Sequence, residues 1–380
     1  MKFPSYLYYI FMTILETLLR FFPIPAKTGY QKIGNPDENS PVLLTCNFHL
    51  TILRLKKATQ GLNYHLLIAN SDGINVWCAS TGGHLNNHSV ISVIKTSGIE
   101  KKVNHKKIIL PQLAAPGIEA KVIHKKTGWK VLWGPVDAKD IPLFFKMHFE
   151  KTDQMRKVKF RVLQRIEIAV MWFFLAALIL MPIWGPLYGI EAVFMLAQIF
   201  LIYFLVMISF PIYEKIFQKE ASKKKSFFSL GNMVVFFINI IYAAIGVVLY
   251  AIVYKHNYSG ILIRWSIVSF VLVLMIGMDL KGSTPIYKSD THQDRLYDVG
   301  INLERCKGTR ICIDVCPRNC FEMIEDQNKV SNPRKVNCVQ CGGCIVQCPF
   351  DALYFINKAG DIIQPETIRK FKLNMMGKRQ

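Results

Sequence analysis

The sequence predicts three parts in order: an α/β layered domain, a region of about four membrane-spanning helices, and a cysteine-rich α+β module. Three observations predict them. Between residues 40 and 150, short apolar runs alternate with helix-like runs, the signature of strands layered against helices. Four apolar stretches follow, each near the roughly 20 residues needed to cross a bilayer. Eight of the ten cysteines then fall between residues 306 and 348.

Composition agrees with this division. Hydrophobic residues make up 51% of the 380 and charged residues only 19%, a balance that leans toward a membrane protein. The formal net charge is +21. The lysines and arginines cluster beside the apolar stretches, so the charge reads as membrane topology and not as a nucleic-acid footprint. No nucleic-acid partner is expected.

Residues 1–22 are apolar apart from a few positions, and Thr13, Glu16, Thr17 and Arg20 recur at helical spacing as one narrow polar strip. They predict an interfacial or membrane helix. Residues 23–165 form the expected α/β domain. "PVLLTCNF", "YHLLIAN", "KKIILPQ" and "WKVLWGPV" read as buried parallel strands. "HLTILRLKKATQ", "SVISVIKTSGIEKKV" and "DAKDIPLFFKMHFE" read as helices, the last with Asp137 or Asp140 as N-cap.

The expected transmembrane region covers 166–280, with spans near 168–184, 188–212, 231–254 and 261–280. Lys151, Arg156, Lys157, Lys159, Arg161 and Arg165 precede the first span, and Lys215, Lys219, Lys223, Lys224 and Lys225 lie between the second and third. The loop "GPLYGIE" carries no basic residue. The positive-inside rule then predicts a multi-pass protein of the inner (cytoplasmic) membrane, with both soluble parts facing the cytoplasm. Residues 281–297 read as a linker, and 298–380 as the cysteine module with a basic tail.

In that module, Cys338, Cys341, Cys344 and Cys348-Pro349 match the C-x2-C-x2-C-x3-C-P run of bacterial ferredoxins. An earlier half-motif supplies Cys306, Cys312 and Cys316-Pro317, with Thr309 where a second thiolate would stand and Cys320 as an additional thiol. In the two-cluster pattern the fourth cysteine of each run serves the other cluster. One [4Fe-4S] cluster then takes Cys338, Cys341, Cys344 and Cys316. The second takes Cys306, Cys312 and Cys348, which predicts a [3Fe-4S] cluster or an atypical [4Fe-4S] cluster. Cys320 is either a spare ligand or a packed thiol. The reading is a bacterial-type two-cluster ferredoxin domain in a reducing compartment.

Cys46 and Cys78 stand apart. Cys78 sits in "GINVWCASTGG", beyond the strand-like "YHLLIAN", where an α/β sheet binds its ligands. The sequence shows no haem-binding CxxCH and no dinucleotide fingerprint. The segment "NVWCA" resembles the cap-helix motif of the corrinoid protein of microbial mercury methylation. The likeness extends through "GNPDENSPVLLTCNF", "ILPQLAAPG", "GWKVLWGPVDAKDIP" and "GMDLKGSTP", so it covers about residues 27–285. The C-terminal module resembles that protein's partner ferredoxin, here in the same chain.

The resemblance implies a Rossmann-like corrinoid domain, with Cys78 as catalytic residue and lower axial cobalt ligand, and Asn75, Val76, Trp77 and Ala79 building the cap. It implies a membrane-anchored corrinoid-dependent methyltransferase whose fused ferredoxin supplies electrons to cobalt. Hg(II) is the implied acceptor; a methyl-donating methyltransferase, an electron donor and the lipid bilayer are the implied partners. Two departures bear on the acceptor. Ser80, Thr81 and Gly82 stand where that family has a small residue followed by Gly-Lys, and the tail "KLNMMGKRQ" lacks adjacent cysteines. Methyl transfer to another acceptor, or a membrane-bound iron–sulfur electron-transfer protein without corrinoid, are the competing expectations.

Overall fold

A computed structural model describes residues 6–220, 297–357 and 359–371, with scattered helical positions between 240 and 271. The chain forms two compact units. The first joins residues 1–13 and 22–158 to 294–380; the second takes 14–21 and 159–293.

In chain order, α1 (Tyr6–Leu18) leads to β1 (Gly29–Ile33), β2 (Val42–Cys46), α2 (His49–Ala58) and β3 (Tyr64–Ala69). Then come α3 (Val76–Gly82), α4 (Asn87–Thr96), β4 (Lys107–Leu110), α5 (Ala120–Thr127), β5 (Lys130–Trp133), α6 (Ile141–Lys146) and α7 (Asp153–Arg156). The sheet order is β1-β3-β2-β4-β5. Strands β2 to β5 are parallel, with Leu43 beside Leu66 and Ile109 beside Leu132, while β1 runs antiparallel to β3. The four apolar runs are therefore strands, but the sheet is mixed. Strand β1, "GYQKI", alternates polar and apolar residues at an edge and lacks the continuous apolar run of a central strand.

Side-chain alternation sorts the strands between two cores. Val42, Leu44, Cys46, Leu67, Ile108 and Leu110 pack on one face with Ala79, Val90, Ile94 and Ile123 from α3, α4 and α5. Leu43, Leu66, Ile68 and Ile109 pack on the other with Ile52 and Leu55 of α2 and Phe144 of α6. Asp137 caps a short turn before α6 through Lys139 N, whereas the Asp140 side chain makes no cap bond. The order in which strands are added reverses between the parallel neighbours β2 and β4, so the crevice at their carboxyl ends is the ligand-binding position of an open α/β sheet.

The second unit contains α8 (Val162–Tyr188) and α9 (Ile190–Glu220). Among the described residues two helices are long and apolar enough to cross a membrane, Val162–Tyr188 and Ile190–Ile212. The expected four-helix transmembrane region is corrected accordingly. The stretches 231–254 and 261–280 lie almost wholly outside the described residues. Helix α8 begins earlier and runs further than 168–184 because Pro182 and Pro186 are accommodated inside it.

The cysteine module closes the first unit. It comprises β6 (Tyr297–Ile301), α10 (Ile311–Val315), β7 (Glu322–Ile324), β8 (Lys329–Ser331), α11 (Gly343–Gln347), β9 (Leu353–Asn357), β10 (Ile362–Ile363) and α12 (Pro365–Phe371). Strands β10-β9-β6 form one antiparallel sheet and β7-β8 a hairpin. Val299, Val315, Ile345 and Phe355 belong to the same hydrophobic core as Val42 and Ile108, so the module and the α/β sheet share one interior.

Candidate functional site

The loop after β3 and helix α3 are built around Asn47, at the end of β2. Its buried Oδ1 accepts from Ser71 N at 2.8 Å, Ser71 Oγ at 2.8 Å and Gly73 N at 3.1 Å. Gly73 has φ +70, and a β-carbon there would stand 2.8 Å from Pro25 N, so the turn requires glycine. Asn75 follows as the N-cap of α3, its Oδ1 accepting from Cys78 N at 3.0 Å. Gly83, at φ 82, ends the helix.

This seven-residue helix, about two turns long, presents two different faces. Trp77, Ala79, Ser80 and Thr81 are buried. Cys78 is exposed, whereas Cys46 is fully buried in β2. Cys78 is therefore not the packed apolar thiol that a strand end would hold: it stands in the first helical turn, with its sulfur at the surface. Val76 is half-buried against the core.

The buried face rests on the loop after β4. Ser80 Oγ donates to Leu113 O at 2.7 Å. A β-carbon at Gly117 would lie 2.5 Å from Leu85 O and 2.6 Å from Ser80 O, so only glycine permits this approach. Ser80 thus helps hold α3 to its support.

The other side of the same loop carries the cysteine module. A β-carbon on Gly343 would stand 3.5 Å from Pro116 Cγ. Gln347, between Cys344 and Cys348, is buried; its Nε2 donates to Ala115 O at 2.7 Å and to Ile118 O, and its Oε1 accepts from Ala120 N at 3.2 Å. A second tie is the buried Lys151, whose Nζ donates to Gln112 Oε1 at 3.0 Å and Asp314 O at 2.9 Å and pairs with Asp314 Oδ1 at 2.9 Å. Burial pulls the Lys151 ammonium down to about 8, with the Asp314 carboxylate acting against that shift.

The structure gathers the module's thiols around two cavities. Cys316, Cys320, Cys338, Cys341 and Cys344 line one with about 310 Å³ of atom-free space. Cys306, Cys312 and Cys348 line the other, about 330 Å³, together with Thr309. Among the described residues no three His, Cys, Asp or Glu side chains converge closely enough to hold a single metal ion. Thiols ringed about a space suit a multi-iron cluster, whereas a zinc ion needs its ligands about 2.3 Å from one point.

Backbone amides point at these sulfurs, from Cys320 to Cys316 Sγ at 3.3 Å, Gln340 to Cys338 Sγ at 3.4 Å and Ala352 to Cys348 Sγ at 3.4 Å. Burial pushes the Cys312 and Cys341 thiols up to about 12 and raises Cys344 well above its usual range. A thiolate in these places is stabilised only by positive charge beside it. The Cys320 thiol hydrogen-bonds Cys316 and Cys338, which raises Cys320 and lowers Cys316.

Comparisons with known proteins bear on the α/β domain. Residues 19–145 match the family model described as CO dehydrogenase/acetyl-CoA synthase delta subunit. The chain is 39% identical over 122 residues to the acetyl-CoA decarbonylase/synthase complex subunit gamma of Methanothermobacter thermautotrophicus, covering 32% of this chain and 26% of that protein. It is 36% identical over 131 residues to subunit gamma 2 of Methanosarcina thermophila, covering 33% of this chain and 28% of that one. The match to the gamma subunit of Methanocaldococcus jannaschii is 37% over 131 residues, 34% of this chain and 26% of that protein. This chain thus spans about a quarter of the length of these relatives.

These matches correct several expectations. The likeness found is to subunits of an acetyl-CoA-forming and -cleaving enzyme complex, which replaces the mercury-methylation resemblance and its implied function. The family match ends at residue 145, so the expected two-cluster ferredoxin domain has no support there and the C-terminal part is described as a cysteine module. The expected partners, a lipid bilayer and Hg(II), are overturned: the relatives' names place those proteins in a multi-subunit complex. The multi-pass placement in the cytoplasmic membrane is overturned with them, since two candidate helices and not four are present among the described residues.

Proposed function

We propose that this chain is a corrinoid- and iron–sulfur-bearing methyl carrier of the acetyl-CoA decarbonylase/synthase gamma-subunit kind, acting with other subunits of such a complex. The observation that carries the reading is the exposed Cys78 on a capped helix at the carboxyl ends of the parallel strands, within the segment that the family model matches. A bound corrinoid supplies a cobalt ion that accepts a methyl group from one reaction partner and yields it to another. Cys78 offers the soft thiolate ligand. Asn75 fixes the first turn from which that thiol projects, Trp77 and Ala79 anchor the helix, and Val76 packs beside it.

The two thiol-lined cavities fit iron–sulfur clusters, one with Cys316, Cys338, Cys341 and Cys344 and the other with Cys306, Cys312 and Cys348. Cys320 donates a hydrogen bond to thiolates of the first, a contact that tunes a cluster's potential. Packed protein runs from Gly343 through Pro116 and Gly117 to Ser80 on the helix that carries Cys78. That continuity suits electron delivery to the α/β domain.

The test is reconstitution of the purified chain with hydroxocobalamin, read by cobalt content and visible absorption. Stoichiometric cobalt in the parent, with an altered spectrum in Cys78→Ala, supports the reading. A parent that retains no cobalt overturns it.

A further inference from the structure

A second concave region lies beside the first thiol cavity. It is an open concavity of about 510 Å³, counting space open to solvent, lined by Lys157 and Val158 on one side and by Pro317, Arg318, Asn319, Arg334 and Asn337 on the other. No carboxylate lines it. Arg334 is engaged: its Nε and Nη2 donate to Asn319 O and Phe321 O, and its Nη1 pairs with Glu322 at 2.9 Å. Lys157 and Arg318 are different, because neither makes a side-chain hydrogen bond or ion pair among the described residues. The Nε of Arg318 is buried and has no acceptor.

Burying a guanidinium nitrogen without a partner costs stability. Two cations without a partner among the described residues line one concavity, and the side-chain amides of Asn319 and Asn337 can add N–H donors, so the lining is cationic and rich in donors. An oxyanion with several acceptor oxygens satisfies such a lining. Arg presents a planar fork and Lys a point charge, the pairing that phosphate groups recruit. We propose that this cavity is a binding site for a small phosphate-class oxyanion, either free phosphate or the phosphoryl group of a small molecule.

Arg318 and Pro317 line this cavity and the Cys316 cavity alike. An anion bound here therefore sets negative charge one side chain away from the first cluster and makes it harder to reduce. That coupling rests on the iron–sulfur reading above; binding itself does not.

Calorimetric titration of the purified full chain with inorganic phosphate and with pyrophosphate, at ionic strength held by chloride, tests the site. Saturable binding is expected, weakened about tenfold in both Arg318→Gln and Lys157→Gln through loss of a charge-assisted hydrogen bond. Arg318→Lys retains the charge and keeps part of the affinity. Tighter pyrophosphate binding points to a phosphorylated small molecule, and equal affinity to free phosphate; either supports the site. Heats matching chloride dilution, or unchanged affinity in both glutamine variants, overturn it. Lys157 lies outside the cysteine module, so it decides the matter even where an Arg318 variant loses iron. Iron and sulfide content of the parent, measured separately, shows whether the cluster reading itself has failed.

Discussion

Lys151 Nζ stands 2.9 Å from Asp314 Oδ1, across 163 residues of sequence, and joins the α/β domain to the helix between Cys312 and Cys316. The ammonium is almost wholly enclosed, while the carboxylate is partly exposed. Its companions are carbonyl and amide oxygens, so the buried charge is solvated by the protein and not left bare. Together with Gln347, it makes the cysteine module part of the first compact unit.

The pH dependence of stability follows from this lysine. Its value falls from 10.5 to about 8 on folding, so between those two values the unfolded chain binds more protons. Stability contributed by this group therefore rises with pH across that window, by up to about 3 kcal/mol. Urea midpoints taken from pH 7.5 to 10.5 should climb more steeply in the parent than in Lys151→Met. Parallel slopes in the two proteins would count against the assignment.

Gln347→Leu should loosen the module. Two buried carbonyls, of Ala115 and Ile118, and the Ala120 amide would lose their partner. The loss should be about 2–4 kcal/mol, given roughly 1–3 for each unsatisfied buried group. Limited proteolysis should then cut within 297–371 faster than in the parent, and Gln347→Glu should give no protection, because a carboxylate cannot donate to the Ala115 and Ile118 carbonyls. Equal cleavage rates for the leucine variant and the parent would refute the docking role.

Asn75→Ala removes the side chain that caps α3. The expected cost is about 1 kcal/mol, and Asn75→Asp should be near neutral. If Cys78 binds cobalt, the alanine variant should also retain less corrinoid after gel filtration, since the turn that aims the thiol frays. Cys46→Ala serves as the control: it removes a small, fully buried group from β2, costing about 1–2 kcal/mol without moving the cobalt spectrum.

Thr309→Cys tests the second cavity. It adds a fourth thiol to the lining of Cys306, Cys312 and Cys348. The parent should show one cluster whose electron paramagnetic resonance differs from its neighbour's, and the variant should bring the two closer and raise iron per chain. Two indistinguishable clusters in the parent would remove the basis for assigning three ligands.

Short-range pattern was enough to mark the strands of the parallel sheet. Val42–Cys46, Tyr64–Ala69, Lys107–Leu110 and Lys130–Trp133 are short, mainly apolar runs; the first two are buried at every position, as a central strand requires, and the last two are buried or half-buried beyond their leading lysines. The spacing of the cysteines likewise encodes their neighbourhoods, because a loop of two or three residues can bring its thiols only so far apart. Strand β1 was hidden, since an edge strand needs no apolar run and its pairing with β3 is made by backbone atoms. The four-span expectation rested on length and composition alone, and among the described residues two helices, Val162–Tyr188 and Ile190–Ile212, meet that test. The exposure of Cys78, the grip of Asn47 on the loop before it, and the ties made by Lys151 and Gln347 were decided by tertiary structure. Each is a lone polar or sulfur-bearing residue with no periodic partner, and its role depends on groups that folding brings close from up to 232 residues away.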